Sequence, residues 1–159
     1  MEKILVTGCS GFLSSYLTRE LSSDQTKILG ITEEDFFADE YEVIKTDIRD
    51  SAGIENIIKD FIPDKIYHLA AISNVGFSWK NPALTYEVNF IGSSNILESA
   101  SKYSPKARII LMSSAEVYSS IKEGQLSESS ETSPDNPYSL SKLAMEMAAD
   151  LISVQKIWM

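Results

Sequence analysis

The chain has 159 residues, 43% hydrophobic and 23% charged, with a formal net charge of -9. That length and balance describe one soluble globular domain over residues 1–159. The negative charge and the lack of a Lys/Arg cluster argue against a nucleic-acid backbone or an anionic membrane as partner, because like charges repel. No apolar run reaches the length of a membrane span, and Ile4–Val6 is too short for a signal-peptide core, so a cytoplasmic address is expected. Cys9 is the single cysteine; it permits no internal disulfide and reads as a small residue filling a tight loop.

In chain order, Lys3 to Thr7 predicts a strand, closed by Gly8. Leu13, Leu17 and Leu21 recur at i, i+4, i+8 and predict an amphipathic helix with that stripe inward. Lys27 to Thr32 and Glu42 to Thr46 read as the second and third strands. Ser51 is the expected cap of a helix whose Ile54, Ile57, Ile58 and Phe61 share one face, and Pro63 ends it. Lys65 to Ala70 predicts a fourth strand, Asn81-Pro82 a helix start running to about Tyr103, and Ala107 to Ser113 a fifth strand. Ser119 to Pro137 lacks any period and reads as a surface loop, before a last helix from about Tyr138 to Gln155. Such alternation predicts an α/β fold with a doubly wound parallel sheet, whose ligands meet the carboxyl ends of the strands.

Gly8 and Gly11 lie between the first strand and helix, in Thr7-Gly8-Cys9-Ser10-Gly11-Phe12-Leu13-Ser14. One glycine permits the turn, the other lets a backbone approach a pyrophosphate, and the helix amino terminus faces the phosphates. The third small position is Ser14 where the commonest fingerprint has glycine. A plain two-glycine turn is the bland alternative. The second strand ends at Thr32, followed by Glu33, Glu34 and Asp35 with no adjacent basic residue. This favours NAD over NADP, because a 2′-phosphate is poorly seated among carboxylates.

Tyr138 and Lys142 stand at i and i+4 on the last helix and project from one face. An ammonium about 4 Å from a phenol at an effective dielectric of about 20 contributes about 4 kcal/mol toward the phenolate. A solvated tyrosine and lysine would be the bland reading. Ser114 and Glu116, where the fifth strand ends, add a hydroxyl and a carboxylate to the same expected site.

With these pieces in place, the chain resembles the extended short-chain dehydrogenase/reductase family, in its NAD-dependent epimerase/dehydratase branch. The resemblance rests on Thr7-Gly8-x-x-Gly11-Phe12-Leu13, Asp47-Ile48-Arg49-Asp50, Pro63-Asp64-Lys65-Ile66-Tyr67-His68-Leu69-Ala70-Ala71, Val88-Asn89-Phe90-Ile91-Gly92, Ser113-Ser114-Ala115-Glu116-Val117-Tyr118 and Asn136-Pro137-Tyr138-Ser139-Leu140-Ser141-Lys142. Within that branch, Ala71-Ile72-Ser73-Asn74-Val75 and Ser78-Trp79-Lys80-Asn81-Pro82 are most similar to GDP-mannose 4,6-dehydratases and GDP-4-keto-6-deoxymannose reductases. A Rossmann-like fold follows from the resemblance.

The resemblance implies roles for individual residues. Gly8, Ser10, Gly11, Phe12 and Leu13 would hold the NAD(P) phosphates, with Thr32 near the adenosine ribose. Asp47 and Ile48 would border the adenine, while Leu69, Ala70, Ala71 and Asn89 would line or support the cofactor's path. Ser114 would hydrogen-bond the reacting sugar oxygen, and Ser73 would also meet the nucleotide-sugar substrate. Tyr138 would exchange the proton, and Lys142 would stabilise its phenolate and hold the nicotinamide ribose. Glu116 matches the glutamate with which dehydratases take a proton beside a transient ketone, although reductases carry it too. Ala115 and Ser119 depart from the branch's commonest residues. His68 reads as a packed structural residue, and no metal is expected. Enzymes of the family pair through helices matching Asn81 to Tyr103 and Tyr138 to Gln155, so a homodimer is expected.

Family members continue with a further strand and a small substrate domain, which this sequence lacks, and a C-terminally truncated chain is expected. On that expectation Tyr138 and Lys142 would sit in water and the chain alone would turn over little substrate. Three readings compete: a nucleotide-sugar lyase, epimerase or oxidoreductase represented by its amino-terminal part, a noncatalytic dinucleotide-binding module, and a remnant without function.

Overall fold

The computed structural model describes residues 1–118 and 125–155. The chain divides into two compact units, Met1–Ala71 with Asn95–Met112, and Ile72–Ser94 with the described residues from Ser113 onward.

The first unit holds a five-stranded, all-parallel sheet in the order β3-β2-β1-β4-β5. Its strands are β1 (Glu2–Thr7), β2 (Thr26–Thr32), β3 (Glu42–Lys45), β4 (Lys65–His68) and β5 (Arg108–Leu111). This is the doubly wound α/β arrangement that the alternating pattern predicts, and the order reverses between β1 and β4. Ile4, Leu5 and Val6 of the central strand are fully buried, as expected where both sheet faces are covered. Each such aliphatic side chain contributes about 1.5–3 kcal/mol. β4 and β5 are shorter than their apolar runs suggest, because the chain leaves the ladder after His68 and Leu111.

Helix α1 (Phe12–Leu21) departs from its leucine stripe. Ser14 and Thr18 are its buried residues, whereas Leu13 is 48% exposed. Their hydroxyls donate backward, Thr18 to the Ser14 carbonyl at 2.8 Å and Ser14 to the loop before the helix, so small polar residues can pack inward with their hydrogen bonds satisfied.

Helix α2 (Ser51–Phe61) buries Ile54, Ile58 and Phe61, but its cap is Asp50, not Ser51. The Asp50 carboxylate accepts from the Gly53 amide at 3.1 Å, which satisfies a first-turn donor that Ser51, already inside the helix, cannot reach.

The second unit begins with a short helix absent from the predicted elements, α3 (Val75–Lys80), capped by Asn74 through the Phe77 amide at 2.8 Å. Asn81 does not cap the next helix with its side chain, since its amide donates back to the Phe77 carbonyl at 3.3 Å and closes α3. Pro82 does open α4 (Pro82–Tyr86). The single helix expected from there to Tyr103 is interrupted by a π-helical stretch, Glu87–Gly92, before it resumes as α5 (Ser93–Tyr103). A 3-10 turn, Ala115–Val117, and α6 (Pro137–Gln155) complete the described elements. The expected loop from Ser119 to Pro137 falls partly outside the described residues, and its described part includes an antiparallel bridge between Thr132 and Tyr118. Among the described residues no helix is long and apolar enough to cross a membrane.

Asp50→Ala should lower the stability of the chain by about 1 kcal/mol, the usual value of an N-cap. Urea denaturation with an unchanged slope and a lower midpoint would show it.

Candidate functional site

In the first unit, β1 ends at Thr7 and the chain turns at Gly8, whose φ is +69°. A Cβ there would lie 2.8 Å from the Ala70 amide nitrogen and 2.9 Å from its Cα. Only glycine satisfies both the left-handed backbone and the close passage of Leu69-Ala70. The segment is tied in place by the Leu69 amide on the Thr7 carbonyl and the Ala70 amide on the Thr7 hydroxyl, each at 3.2 Å. The same end of β4 carries His68, which is buried with Nδ1 2.7 Å from the Thr7 hydroxyl.

The Gly8 and Cys9 amides donate to the Ile31 carbonyl at 2.8 and 3.1 Å. The Ser14 hydroxyl donates to the Gly8 and Gly11 carbonyls at 2.6 and 2.9 Å, sharing one proton. Gly11 is the N-cap of α1 and offers no side-chain cap, so first-turn N–H groups, which lack intrahelical partners, remain for a ligand. Phe12 and Leu13 stand exposed at this end. The tight turn at Gly8, a Gly11 whose Cβ would crowd the Gly8 carbonyl at 3.2 Å, and a helix terminus without a side-chain cap fit a dinucleotide pyrophosphate. Burial pushes the Cys9 thiol up to about 11, so it is an inert packing residue, as the sequence suggests.

At the ends of the neighbouring strands, Ser10 and Thr32 share a hydroxyl hydrogen bond of 2.8 Å, and Thr32 also accepts from the Glu34 amide at 3.2 Å. Glu33, Glu34 and Asp35 are exposed. No basic residue adjoins these acids in the sequence, but one stands beside them in space: Lys45 Nζ lies 2.5 Å from Asp35 Oδ1. Sheet pairing of Thr32 with Lys45 brings it there, a signal readable once β2 and β3 are taken as neighbours. Beyond β3, the Arg49 guanidinium donates to Asp47 at 2.9 and 3.0 Å and holds that carboxyl below its ordinary range. Ile48 is buried, its carbonyl accepting from Asn95 at 2.9 Å. Ala71 is half-buried at the end of this unit.

In the second unit, Tyr138 is 8% exposed and Lys142 4% exposed, with the Lys142 ammonium 6.0 Å from the centre of the Tyr138 ring. The expectation that this pair sits in water is thus overturned. Burial, opposed by the attraction of Glu146, lowers Lys142 to about 8.

A set of hydrogen bonds anchors the amino end of α6. The Tyr138 amide donates to the Ser78 hydroxyl at 3.2 Å, and Ser78 donates to the Val75 carbonyl at 2.8 Å. Asn136 caps the helix through the Ser139 amide at 2.9 Å, and its side-chain amide donates to Glu116 Oε2 at 3.1 Å. Ser114 caps the 3-10 turn by accepting from the Glu116 amide at 3.2 Å. Asn136 therefore joins the Ser114–Glu116 turn to the start of the helix bearing Tyr138. The sequence reading missed it by starting the helix one residue too late, although Asn136-Pro137 repeats the Asn-Pro signal recognised at Asn81-Pro82.

Asn89 is fully buried in the π-helical stretch. It accepts from the Ile72 amide at 2.7 Å and donates to the Ile72 carbonyl and the Ser141 hydroxyl, both at 2.9 Å. Both of its amide hydrogens are committed to protein atoms, so it holds the Ile72 backbone and Ser141 in place. Ser73 is exposed beside this clamped residue. Ser119 and Trp158 lie outside the described residues.

The sequence model of the GDP-mannose 4,6 dehydratase family matches residues 5–155. A probable dTDP-glucose 4,6-dehydratase from Sinorhizobium fredii is 32% identical over 91% of this chain and 47% of its own length. A GDP-6-deoxy-D-talose 4-dehydrogenase from Aggregatibacter actinomycetemcomitans is 34% identical over 91% of this chain and 46% of its own. The solved UDP-glucose 4-epimerase of Thermus thermophilus in complex with NAD superposes with a TM-score of 0.88 at 26% identity, covering 96% of this chain and 51% of that one. The chain thus spans about half the length of the curated relatives it matches.

A buried lysine lowered from its ordinary value to about 8 destabilises the fold below that pH and ceases to do so as pH rises toward about 10.5, because the unfolded chain then binds the extra proton. Lys142→Met should therefore be more stable than the unsubstituted chain at pH 7. Its advantage should shrink by about 3 kcal/mol between pH 7 and 10.5, as read from urea midpoints at several pH values.

Proposed function

The chain belongs to the GDP-mannose 4,6 dehydratase family, a group of nucleotide-sugar enzymes, and from that premise we propose that it serves NAD(P)-dependent modification of a nucleotide sugar, with a GDP-mannose-derived sugar as substrate. The observation that carries the reading is the buried Tyr138–Lys142 pair on one face of α6. The family match over residues 5–155 and the GDP-sugar dehydrogenase among the relatives support the GDP sugar.

When bound, a nicotinamide dinucleotide supplies the hydride acceptor and donor. Gly8, Ser10, Gly11, Phe12 and Leu13 would hold its phosphates, Thr32, Asp47 and Ile48 would meet its adenosine, and Leu69, Ala70 and Ala71 would line its path. Ser114 hydrogen-bonds the reacting sugar oxygen while Tyr138 moves its proton, and Lys142 keeps the positive charge that favours the phenolate. In a dehydratase course Glu116 takes the proton beside the transient ketone. Ser73 meets the sugar, and Asn89 supports the site by holding Ile72 and Ser141. NAD is favoured over NADP, since Lys45 is paired with Asp35 and Glu33 and Glu34 leave an excess of negative charge.

Calorimetric titration of the chain should give NAD(H) an affinity equal to or above that of NADP(H); a clear preference for the 2′-phosphorylated form would overturn the cofactor assignment. In a protein carrying these residues over the full length of its relatives, Tyr138→Phe should lower turnover of GDP-mannose by roughly 100-fold or more with cofactor affinity kept. Lys142→Met should lose both, and equal loss of affinity in the two variants would show the roles to be wrong.

The same reading includes a homodimer. Leu140, Met147 and Leu151 leave 47%, 59% and 68% of their surface exposed on α6, an apolar stretch suited to a second copy. Light scattering should give twice the monomer mass, and Met147→Glu should return it to one.

A further inference from the structure

Helix α6 carries a third ionisable residue in line with Tyr138 and Lys142. Glu146 follows Lys142 by four residues, so the three stand at i, i+4 and i+8 on one face. Glu146 is half-buried, and the Ser113 hydroxyl donates to its Oε1. Ser113 directly precedes Ser114, whose hydroxyl caps the 3-10 turn that leads to Glu116. One carboxylate thus stands one helical turn from the buried ammonium and accepts a hydrogen bond from the residue before the proposed sugar-binding serine. None of the roles assigned above uses it.

We propose that Glu146 is a positioning residue: its carboxylate keeps the buried Lys142 ammonium charged and, through Ser113, fixes the backbone that presents Ser114. The importance of both effects rests on the proposed roles of Lys142 and Ser114.

The physical case begins with Lys142 at 4% exposure, where loss of water disfavours the ammonium. The Tyr138 ring centre lies 6.0 Å from it, and the charge of Glu146 counters the effect of burial. A lysine near 8 is still mostly protonated at neutral pH. Without an opposing carboxylate, burial would lower it further. A carboxylate that rotated freely would supply this field poorly. The Ser113 hydrogen bond fixes it, and the same bond gives the Ser113-Ser114 segment a rigid attachment to the helix bearing Tyr138.

Glu146→Gln tests the charge while leaving an oxygen that can accept from Ser113. With lysine ¹³C-labelled at Cε, and Lys142→Met to assign the signal, the titration midpoint of Lys142 should fall by about one pH unit, a tenfold loss in proton affinity. Glu146→Asp, which keeps the charge, should restore most of the shift. An unchanged midpoint in Glu146→Gln would overturn the proposal, as would an equal drop in Glu146→Asp.

If Glu146→Gln fails to fold, Ser113→Ala serves in its place by removing one hydroxyl. It should lower the midpoint by a smaller amount and speed hydrogen exchange at the Ser114 amide. No change in either quantity would overturn the proposal. Neither measurement requires a bound dinucleotide or turnover, so a chain that binds no NAD(P) would defeat the functional reading and leave this result standing.

Discussion

The constraint on which the second unit depends is a positive charge held out of water. Lys142 is 4% exposed, and placing an ammonium at such a position is unfavourable by several kcal/mol unless polar groups answer it. An arginine could not serve in the same way, because a guanidinium remains charged under all relevant conditions and needs a planar fork of acceptors. Lysine offers a compact charge whose proton affinity the surroundings can adjust, and burial brings it to about 8. The helix that creates this unfavourable situation also supplies the response one turn later, in Glu146.

Asn89 shows how another buried polar group of the same unit is satisfied. Its side chain spans the amide and carbonyl of Ile72 and reaches Ser141, so a fully buried amide has both hydrogens satisfied. The π-helical stretch Glu87–Gly92 is where this residue sits, and widened turns of this kind recur where a helix must aim a side chain out of its normal register. The hydroxyls of Ser93 and Ser94 donate to the carbonyls of Asn89 and Phe90 at 2.6 and 2.9 Å. They satisfy acceptors close to where the helical winding changes.

What could be read from the sequence follows from the range of each signal. Continuous apolar runs such as Ile4-Leu5-Val6 mark strands of a sheet covered on both faces, and Gly8 marks a turn because its backbone conformation is closed to other residues. Tyr138 and Lys142 were legible because helix geometry alone puts i and i+4 together. The misses required knowledge of tertiary partners. α3 is only six residues long and its cap, Asn74, lies in a run without helical period. Ser14 and Thr18 face inward because their hydroxyls find backbone acceptors, which a leucine stripe cannot reveal. Burial of Tyr138 and Lys142 is likewise invisible in the sequence, because it depends on what packs around α6. Glu146 was the avoidable omission, since the i+4 rule that paired Tyr138 with Lys142 extends one step further.

Ser14 shows how a departure from a familiar pattern can preserve its physics. In the dinucleotide fingerprint the third glycine allows the helix to pack closely, and a serine adds a Cβ and a hydroxyl at that place. Here Ser14 is 1% exposed, so the close packing survives the larger side chain. Its hydroxyl gains a function glycine could not have, donating to the carbonyls of Gly8 and Gly11. Those two bonds hold the turn from within, and they do so without using a first-turn amide of α1. A conventional N-cap would have consumed one of those amides. By bracing the loop through its carbonyls instead, the chain leaves its first-turn donors without a side-chain cap, as an anion site requires.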